Sequence, residues 1–249
     1  MNVRCTQCGA EVPVPADVRL VQCAFCDTAL VVDGDGTLFR EVMLPTVKLK
    51  EAVHHLRRFM AGTETIADLD KKARIGTPEL VYFPFWAFSI ATDAGERIVL
   101  EPAAPSFLQG LQGMDLPPGN SHIWTAGITG AVPVVEPEVP LATARNWLTE
   151  RLGKMREKRT VLYHLPLYRI SYTYGGKKYS AAVEGVSGQV LPADFPAKAE
   201  TPYFLVAAAA IAVFSIEGLV ITNLLFKAVI FAISAVPLFL LAWLTSRKV

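Results

Sequence analysis

The chain has 249 residues, of which 52% are hydrophobic and 19% charged, and its formal net charge is +1. This composition is too apolar for a disordered chain, and a net charge so close to zero provides no overall field that would attract nucleic acid. The length is sufficient for more than one domain. We therefore expect a folded protein with at least one segment that leaves water.

All four cysteines lie near the N-terminus, as the two Cys-x-x-Cys pairs Cys5/Cys8 and Cys23/Cys26. This spacing lets four thiolates complete the tetrahedron that Zn²⁺ accepts in a closed structural site. Two disulfides, a redox pair and an iron site are the alternatives. Because residues 1–6 lack the apolar core of a secretory signal peptide, we expect a reducing compartment, which disfavours disulfides.

Short strands are predicted around these pairs, over Glu11–Val14, Arg19–Gln22 and Leu30–Val32. The sequence therefore predicts a zinc ribbon over residues 1–36, too small to fold without its metal. The charges of this segment are Arg4 and Arg19 against Glu11, Asp17, Asp27, Asp33 and Asp35. An acidic balance repels phosphates, so we expect a protein partner for the ribbon rather than nucleic acid.

Two apolar runs occupy the C-terminal end, Tyr203–Ile221 and Leu224–Leu244. Each has close to the ~20 residues that a helix needs to cross the hydrocarbon core of a bilayer. The sequence therefore predicts a transmembrane helical hairpin over residues 201–249, with its turn near Asn223.

Basic residues flank this hairpin, with Lys198 before it and Arg247 and Lys248 after it. The positive-inside rule then places both termini and the bulk of the chain in the cytoplasm. Glu217 and Lys227 lie on opposite arms near the turn. Pairing between them and independent snorkelling to the interface both remain open.

One segment of the middle region occurs twice, at an offset of 82 residues: Tyr82–Ser89 aligns with His164–Ser171. Each copy follows an amphipathic helix. The apolar positions are Leu49, Ala52, Val53, Leu56, Phe59 and Met60 in the first helix and Leu141, Ala144, Leu148, Leu152 and Met155 in the second. In the second copy, Gly175-Gly176 predicts a hairpin between Leu167–Tyr174 and Lys177–Val186. We therefore predict a duplicated α+β domain over residues 37–200, with repeats at about 42–101 and 138–196 and with helices on one face of an antiparallel sheet.

Two surfaces of this domain are candidate binding sites. Residues 101–119 are rich in Pro and Gly and predict a loop over the sheet. Basic residues crowd the predicted end of the second helix, and they are Arg151, Lys154, Arg156, Lys158 and Arg159. This patch is either favourable helix-end charge or a contact for anionic lipid.

Residues with catalytic potential show no recognisable pattern. The histidines are His54, His55, His122 and His164, and none lies in a metal-ligand or nucleophile motif. The aromatic residues Tyr82, Phe83, Phe85, Trp86 and Phe88 favour a strand that is core on both faces over a binding pocket. We therefore expect a protein without enzymatic activity.

Several of these motifs together resemble bacterial TFIIB-type zinc-ribbon membrane proteins, some of which carry a primosomal helicase label. The motifs are the Cys-x-x-Cys-Gly-Ala turn, the helix before Tyr82–Trp86, the Val183–Val190 meander and the terminal hairpin. The resemblance implies an accessory role in membrane-stress systems that include flotillin-like and PspA-like proteins, at the bacterial inner membrane.

We therefore predict a membrane-anchored, cytosol-facing adaptor or scaffold for protein partners, with a structural Zn²⁺. The alternatives are a membrane-associated nucleic-acid-binding zinc-ribbon protein and an accessory subunit of a larger membrane complex.

Overall fold

The computed structural model describes residues 2–15, 18–33, 36–92, 95–198, 201–221 and 223–248. The chain forms two compact units. The first unit combines Met1–Phe59 with Asp70–Phe195, and the second combines Met60–Leu69 with Pro196–Val249. The described residues form a mixed α+β fold with a large sheet, which confirms the predicted class.

The described residues form thirteen strands and five helices. The N-terminal strands are β1 (Asn2–Arg4), β2 (Glu11–Pro13), β3 (Leu20–Gln22), β4 (Ala29–Asp33) and β5 (Gly36–Met43). The first copy contains α1 (Leu49–Met60), α2 (Leu69–Lys72), β6 (Arg74–Ile75), β7 (Glu79–Thr92), β8 (Gly95–Pro102) and β9 (Met114–Asp115). The remainder is β10 (Ser121–Ile123), α3 (Leu141–Leu152), β11 (Glu157–Tyr174), β12 (Lys177–Glu184), β13 (Val190–Pro192), α4 (Thr201–Val220) and α5 (Leu224–Lys248).

The N-terminal strands begin as a separate ribbon and end inside the main sheet. Strands β1 and β2 form an antiparallel pair, and β3, β4 and β5 follow as an antiparallel meander. The C-terminal half of β5 then pairs in parallel with β11, with Arg40 opposite Leu162 and Val42 opposite His164. The three predicted ribbon strands are confirmed to within two residues, whereas β1 and β5 were not predicted. Strand β5 therefore belongs to both sheets.

The main sheet is built around the two longest strands, β7 and β11, which run antiparallel. In their register Phe83 lies opposite Leu165, and these two residues are 82 positions apart. The segments that align in the sequence are therefore neighbours in space, related by a local two-fold axis at this pair. Each long strand continues through a hairpin to a second strand, β8 after β7 and β12 after β11.

Side-chain hydrogen bonds follow the same correspondence. The indole N–H of Trp86 donates to the carbonyl of Val139 at 2.9 Å, and the hydroxyl of Tyr168 donates to the carbonyl of Val47 at 2.7 Å. Trp86 and Tyr168 are 82 residues apart, and the two carbonyls each precede a helix, α3 and α1. A buried aromatic residue on each long strand thus fixes the segment that leads into the helix beside it.

Strand β7 is buried on both faces, as the aromatic pattern predicted. Trp86, Phe88 and Ile90 pack with buried residues of α3. Phe83 and Phe85 point to the other face, where they pack with core residues from outside the helices.

The segment predicted as a loop over residues 101–119 contributes to that second core. Ala104, Leu111 and Met114 are buried in it, and β9 pairs with β8. The segment therefore covers the sheet face on which α3 does not lie. Its exposed part is short and includes Phe107, of which 95% is exposed.

Two boundaries of the second copy differ from the sequence prediction. The strand expected from Leu167 begins ten residues earlier, at Glu157, and α3 ends at Leu152. Gly153 follows with a positive φ of 76°, which terminates the helix. The hairpin at Gly175-Gly176 is confirmed, with positive φ at both glycines.

The second unit contains α4 and α5. Asn223 caps α5, because its Oδ1 accepts hydrogen bonds from the N–H groups of Leu225 and Phe226. Glu217 accepts a hydrogen bond from the Ser234 hydroxyl. Among the described residues, no helix is both long enough and apolar enough to cross a membrane. The structure thus gives no support to the predicted transmembrane hairpin, which stays a prediction.

Lys227 uses a backbone acceptor in the same unit. Its ammonium donates to the carbonyl of Gly218 at 2.7 Å. Glu217 and Lys227 therefore do not pair with each other. Each makes its own hydrogen bond between α4 and α5.

The Tyr168 hydroxyl provides a test of the correspondence between the copies. Replacing Tyr168 by Phe leaves the buried carbonyl of Val47 without its donor, so we expect a loss of about 1–2 kcal/mol in the free energy of unfolding. Chemical denaturation in detergent measures this loss. Tyr174→Phe, at a partly exposed position of the same strand, is the control and should change stability by less than about 0.5 kcal/mol. Equal losses for both variants would contradict the assignment.

Candidate metal centre

The four cysteine sulfur atoms lie within 4.8 Å of one another. The Sγ atoms of Cys5 and Cys26 are 3.7 Å apart, and so are those of Cys8 and Cys23. In a regular tetrahedron with Zn–S bonds of about 2.3 Å, adjacent sulfurs are roughly 3.8 Å apart. The structure therefore brings the four predicted ligands together, and two of the sulfur pairs have the spacing that a tetrahedral metal ion requires.

The first pair of cysteines lies on a tight turn, here called the first knuckle (residues 5–10). The N–H of Gly9 donates to the carbonyl of Cys5 at 3.0 Å, and the N–H of Cys5 donates to the carbonyl of Ala10 at 2.9 Å. The N–H of Gln7 points to the sulfur of Cys5 at 3.4 Å. Gly9 has a φ of 76°, which a residue without Cβ adopts at little cost.

The second knuckle (residues 23–28) repeats this geometry. The N–H of Asp27 donates to the carbonyl of Cys23, and the N–H of Cys23 donates to the carbonyl of Thr28, both at 2.9 Å. Asp27 has a φ of 56°, so it occupies the left-handed region where Gly9 stands in the first knuckle. Asp is among the few non-glycine residues that tolerate this conformation.

Thr28 favours the ionised form of one ligand. Hydrogen bonds with its side chain and with its backbone lower the pKa of Cys26 to about 6. At Cys8 a hydrogen bond from the Ala10 backbone lowers the pKa, but desolvation and the other three cysteines outweigh it and raise the pKa to about 12. Four thiols held this closely cannot all ionise without a cation between them.

Apolar side chains surround the buried side of the cluster. Cys5 and Cys23 are buried, whereas Cys8 is exposed. The buried residues packed with the cysteines are Val3, Val12, Val14, Leu30 and Val32. This core is small, so a metal ion would provide much of the folding free energy of the ribbon.

The exposed side of the second knuckle carries an aromatic ring. Phe25 lies between Cys23 and Cys26, and 72% of it is exposed. Asp27 beside it is exposed as well. Asp17 and Asp35, which contribute to the predicted acidic balance of the ribbon, lie outside the described residues.

The predicted basic patch is not a free cationic surface at the end of a helix. Lys158 and Arg159 lie on β11, and each pairs with a carboxylate, Glu96 at 3.2 Å and Glu41 at 2.5 Å. Arg151, on the last turn of α3, pairs with a fully buried carboxylate, that of Glu101. The interpretation as helix-end charge was wrong from Lys154 onward, because α3 ends at Leu152. Contact of the exposed Lys154 and Arg156 with anionic lipid stays a prediction.

One of the four histidines, His164, lies in a buried environment that no sequence motif indicates. His164 is fully buried and lies next to two residues that sequence reasoning did not consider, Arg40 and Trp124. Burial, with a contribution from the charge of Arg40, keeps the pKa of His164 well below its ordinary value. No local motif reveals this group, because its members meet only through the pairing of β5 with β11 and β10.

A comparison with protein-family models, with curated proteins and with solved structures finds no match for this chain. The similarity to TFIIB-type zinc-ribbon membrane proteins thus rests on the motifs alone. The geometry of the four cysteines is the main basis for assigning a function.

The two knuckles provide matched variants. Gly9→Ala places a Cβ at positive φ, which costs about 1 kcal/mol, so the affinity for Zn²⁺ should fall roughly fivefold. Asp27→Gly removes a Cβ from the equivalent position at positive φ, so the affinity for Zn²⁺ should be equal or higher. Competition with a chromophoric chelator measures both. A Cβ added at Gly9 would meet no atom within 4 Å, so only the backbone conformation opposes the substitution. An unchanged affinity for Gly9→Ala would therefore show that the knuckle does not hold this conformation around the metal.

Proposed function

We propose that this protein is a zinc-stabilised adaptor, anchored in a membrane by its C-terminal helices, that presents its ribbon to protein partners on the cytosolic side. The observation that carries the proposal is the cluster of four cysteine sulfur atoms within 4.8 Å of one another. Four thiolates fill every position of a tetrahedral ion, so the site has a structural rather than a catalytic character.

Zinc is the metal that best suits this site. Four thiolates also suit iron, but the ribbon topology and the paired Cys-x-x-Cys turns are typical of structural zinc. The free energy of structural zinc binding, about 10–16 kcal/mol in small zinc-binding peptides, is large compared with what the small apolar core provides.

Phe25 is the residue that we assign to partner binding. The metal fixes the backbone on both sides of it, so its ring is held in the solvent by a rigid turn. A large aromatic side chain presented in this way is a frequent centre of a protein interface. The acidic residues of the ribbon favour a partner with basic or neutral charge over nucleic acid.

Membrane attachment is assigned to α4 and α5. Many large apolar side chains of these helices are exposed in the structure of the chain alone. They are Phe204, Ile211, Ile216, Leu219 and Val220 on α4 and Leu225, Phe226, Val229, Ile233, Val236, Phe239, Leu240 and Trp243 on α5. An apolar surface of this extent favours contact with lipid. The flanking Lys198, Arg247 and Lys248 support a cytoplasmic location for both ends.

The resemblance to TFIIB-type zinc-ribbon membrane proteins supports a place in a bacterial inner-membrane stress or membrane-organising system. Flotillin-like and PspA-like proteins are the partners that it implies. The adaptor would then recruit such proteins to one membrane surface without chemistry of its own.

The anchor is tested with the full chain expressed in bacteria. We expect it to remain in the membrane pellet after an alkaline carbonate wash, which removes proteins that are held only by charge, and to be released by detergent. Release of the chain by carbonate would overturn the proposed anchor while leaving the zinc site unaffected.

The docking role of Phe25 is tested by crosslinking in native membranes followed by mass spectrometry. Phe25→Ala should reduce the yield of crosslinked protein partner at least tenfold, because it removes the aromatic anchor but no metal ligand. Phe107→Ala, at another exposed phenylalanine, is the matched control and should retain the partner. Equal partner yields for the wild type and both variants would overturn the assignment, and so would recovery of nucleic acid instead of protein.

A further inference from the structure

A cluster of three side chains, two of them buried, lies where the ribbon joins the main sheet. We call it the Arg40 cluster, and it consists of Arg40, Trp124 and His164. The guanidinium carbon of Arg40 lies 3.8 Å from the centre of the Trp124 ring, and one terminal nitrogen lies 3.2 Å from Nε2 of His164. Only 8% of Arg40 is exposed, and none of His164.

The charge of Arg40 has no carboxylate partner among the described residues. The Nε atom is buried and has no hydrogen-bond acceptor. Burial lowers the pKa of Arg40 to about 10, while the charge of Glu136 opposes this shift, so the guanidinium stays charged at neutral pH. His164 cannot neutralise this charge, because a neutral imidazole carries no negative charge and offers the guanidinium only its unprotonated nitrogen as an acceptor.

Other buried carboxylates described in this unit have polar partners, and Glu184 accepts hydrogen bonds from the N–H groups of Val186 and Ser187 and from the Ser187 hydroxyl. The buried carboxylates of Glu101 and Glu41 pair with Arg151 and Arg159. A buried cation without an anion is unfavourable, because desolvation is not compensated by an opposite charge. The stacking on Trp124 provides only part of that compensation, on the order of 2 kcal/mol for a desolvated pair. Among the described residues, the guanidinium of Arg40 therefore has no anion in contact with it.

A cavity of about 190 Å³ lies beside this cluster, with Arg40 and Trp124 in its wall. The rest of its lining comes from Leu20, Val21, Gln22, Ala29, Leu30 and Ala126. The volume equals that of several water molecules, at about 30 Å³ each, and is sufficient for a small polyatomic ion. The lining combines apolar side chains with the polar groups of Arg40 and Gln22.

We propose that this cavity binds a small oxyanion, a free carboxylate or phosphate, on the guanidinium of Arg40. The planar guanidinium offers N–H donors in a fixed geometry that matches two oxygens of such an anion. The anion would contact the ribbon strands β3 and β4 on one side and Arg40 of β5 on the other. This proposal does not depend on the adaptor role or on the membrane anchor.

Thermal unfolding of the full chain in an uncharged detergent tests the proposal. Phosphate or acetate, compared with chloride at equal ionic strength, should raise the melting temperature of the wild type. Arg97→Met is the matched control, because Arg97 is exposed and pairs with Asp115 on the surface, and it should retain the shift. Arg40→Met removes the charge at similar size and should lose the shift. An equal shift in all three proteins would overturn the site.

NMR of the unmodified chain labelled with ¹⁵N-arginine covers the case in which Arg40→Met does not fold. Binding of the anion supplies the missing acceptor, so one arginine Nε–H resonance should shift and saturate with phosphate or acetate. A shift with phosphate alone, or with acetate alone, identifies which oxyanion class is bound. No saturable shift with either anion overturns the proposal. A shift that appears only with phosphatidylglycerol vesicles overturns it in favour of a lipid headgroup.

Discussion

The antiparallel pairing of β7 with β11 is the interaction on which the rest of the first unit depends. Its register puts Phe83 opposite Leu165, so that the aligned segments lie side by side about a local two-fold axis. Each long strand then leads into a hairpin partner, and each carries an aromatic donor, Trp86 or Tyr168, that holds the segment before a helix. The burial of β7 on both faces follows, because α3 covers one face and the segment after β8 covers the other. The sequences of the two copies are only modestly similar, but the copies keep equivalent hydrogen bonds.

Strand β5 connects this sheet to the metal centre. Its first half pairs with β4 of the ribbon and its second half with β11, so the four cysteines are attached to the sheet through a continuous strand rather than a flexible linker. This connection gives the proposed docking residue a defined position on the first unit. It also creates the environment of Arg40, because that residue stands where β5 passes from one sheet to the other. The metal centre is thereby linked to the proposed anion site through one shared strand.

Local patterns in the sequence were sufficient for part of this description. The Cys-x-x-Cys spacing predicted the ligands, the apolar periodicity predicted α1 and α3 almost to their ends, and Gly175-Gly176 predicted the hairpin. These features depend on residues close together in the chain. The early start of β11, the partners of Lys158 and Arg159 and the meeting of Arg40 with His164 depend on long-range register, which no local window contains. Asp27 at positive φ was also unremarkable in the sequence, although its place after Cys26 matches that of Gly9 after Cys8.

The shared strand has a consequence for the order of folding. The β1–β2 and β3–β4 pairings and the metal centre form within the first 33 residues, so we expect this part of the ribbon to fold early, as soon as metal is bound. The second half of β5 pairs with β11, and His164 stands 124 residues after Arg40. Contacts of such high sequence separation form late, since the loop-closure entropy must be overcome first. During synthesis on the ribosome, a completed ribbon would therefore precede the sheet that receives it, with Arg40 exposed to water until the second copy emerges.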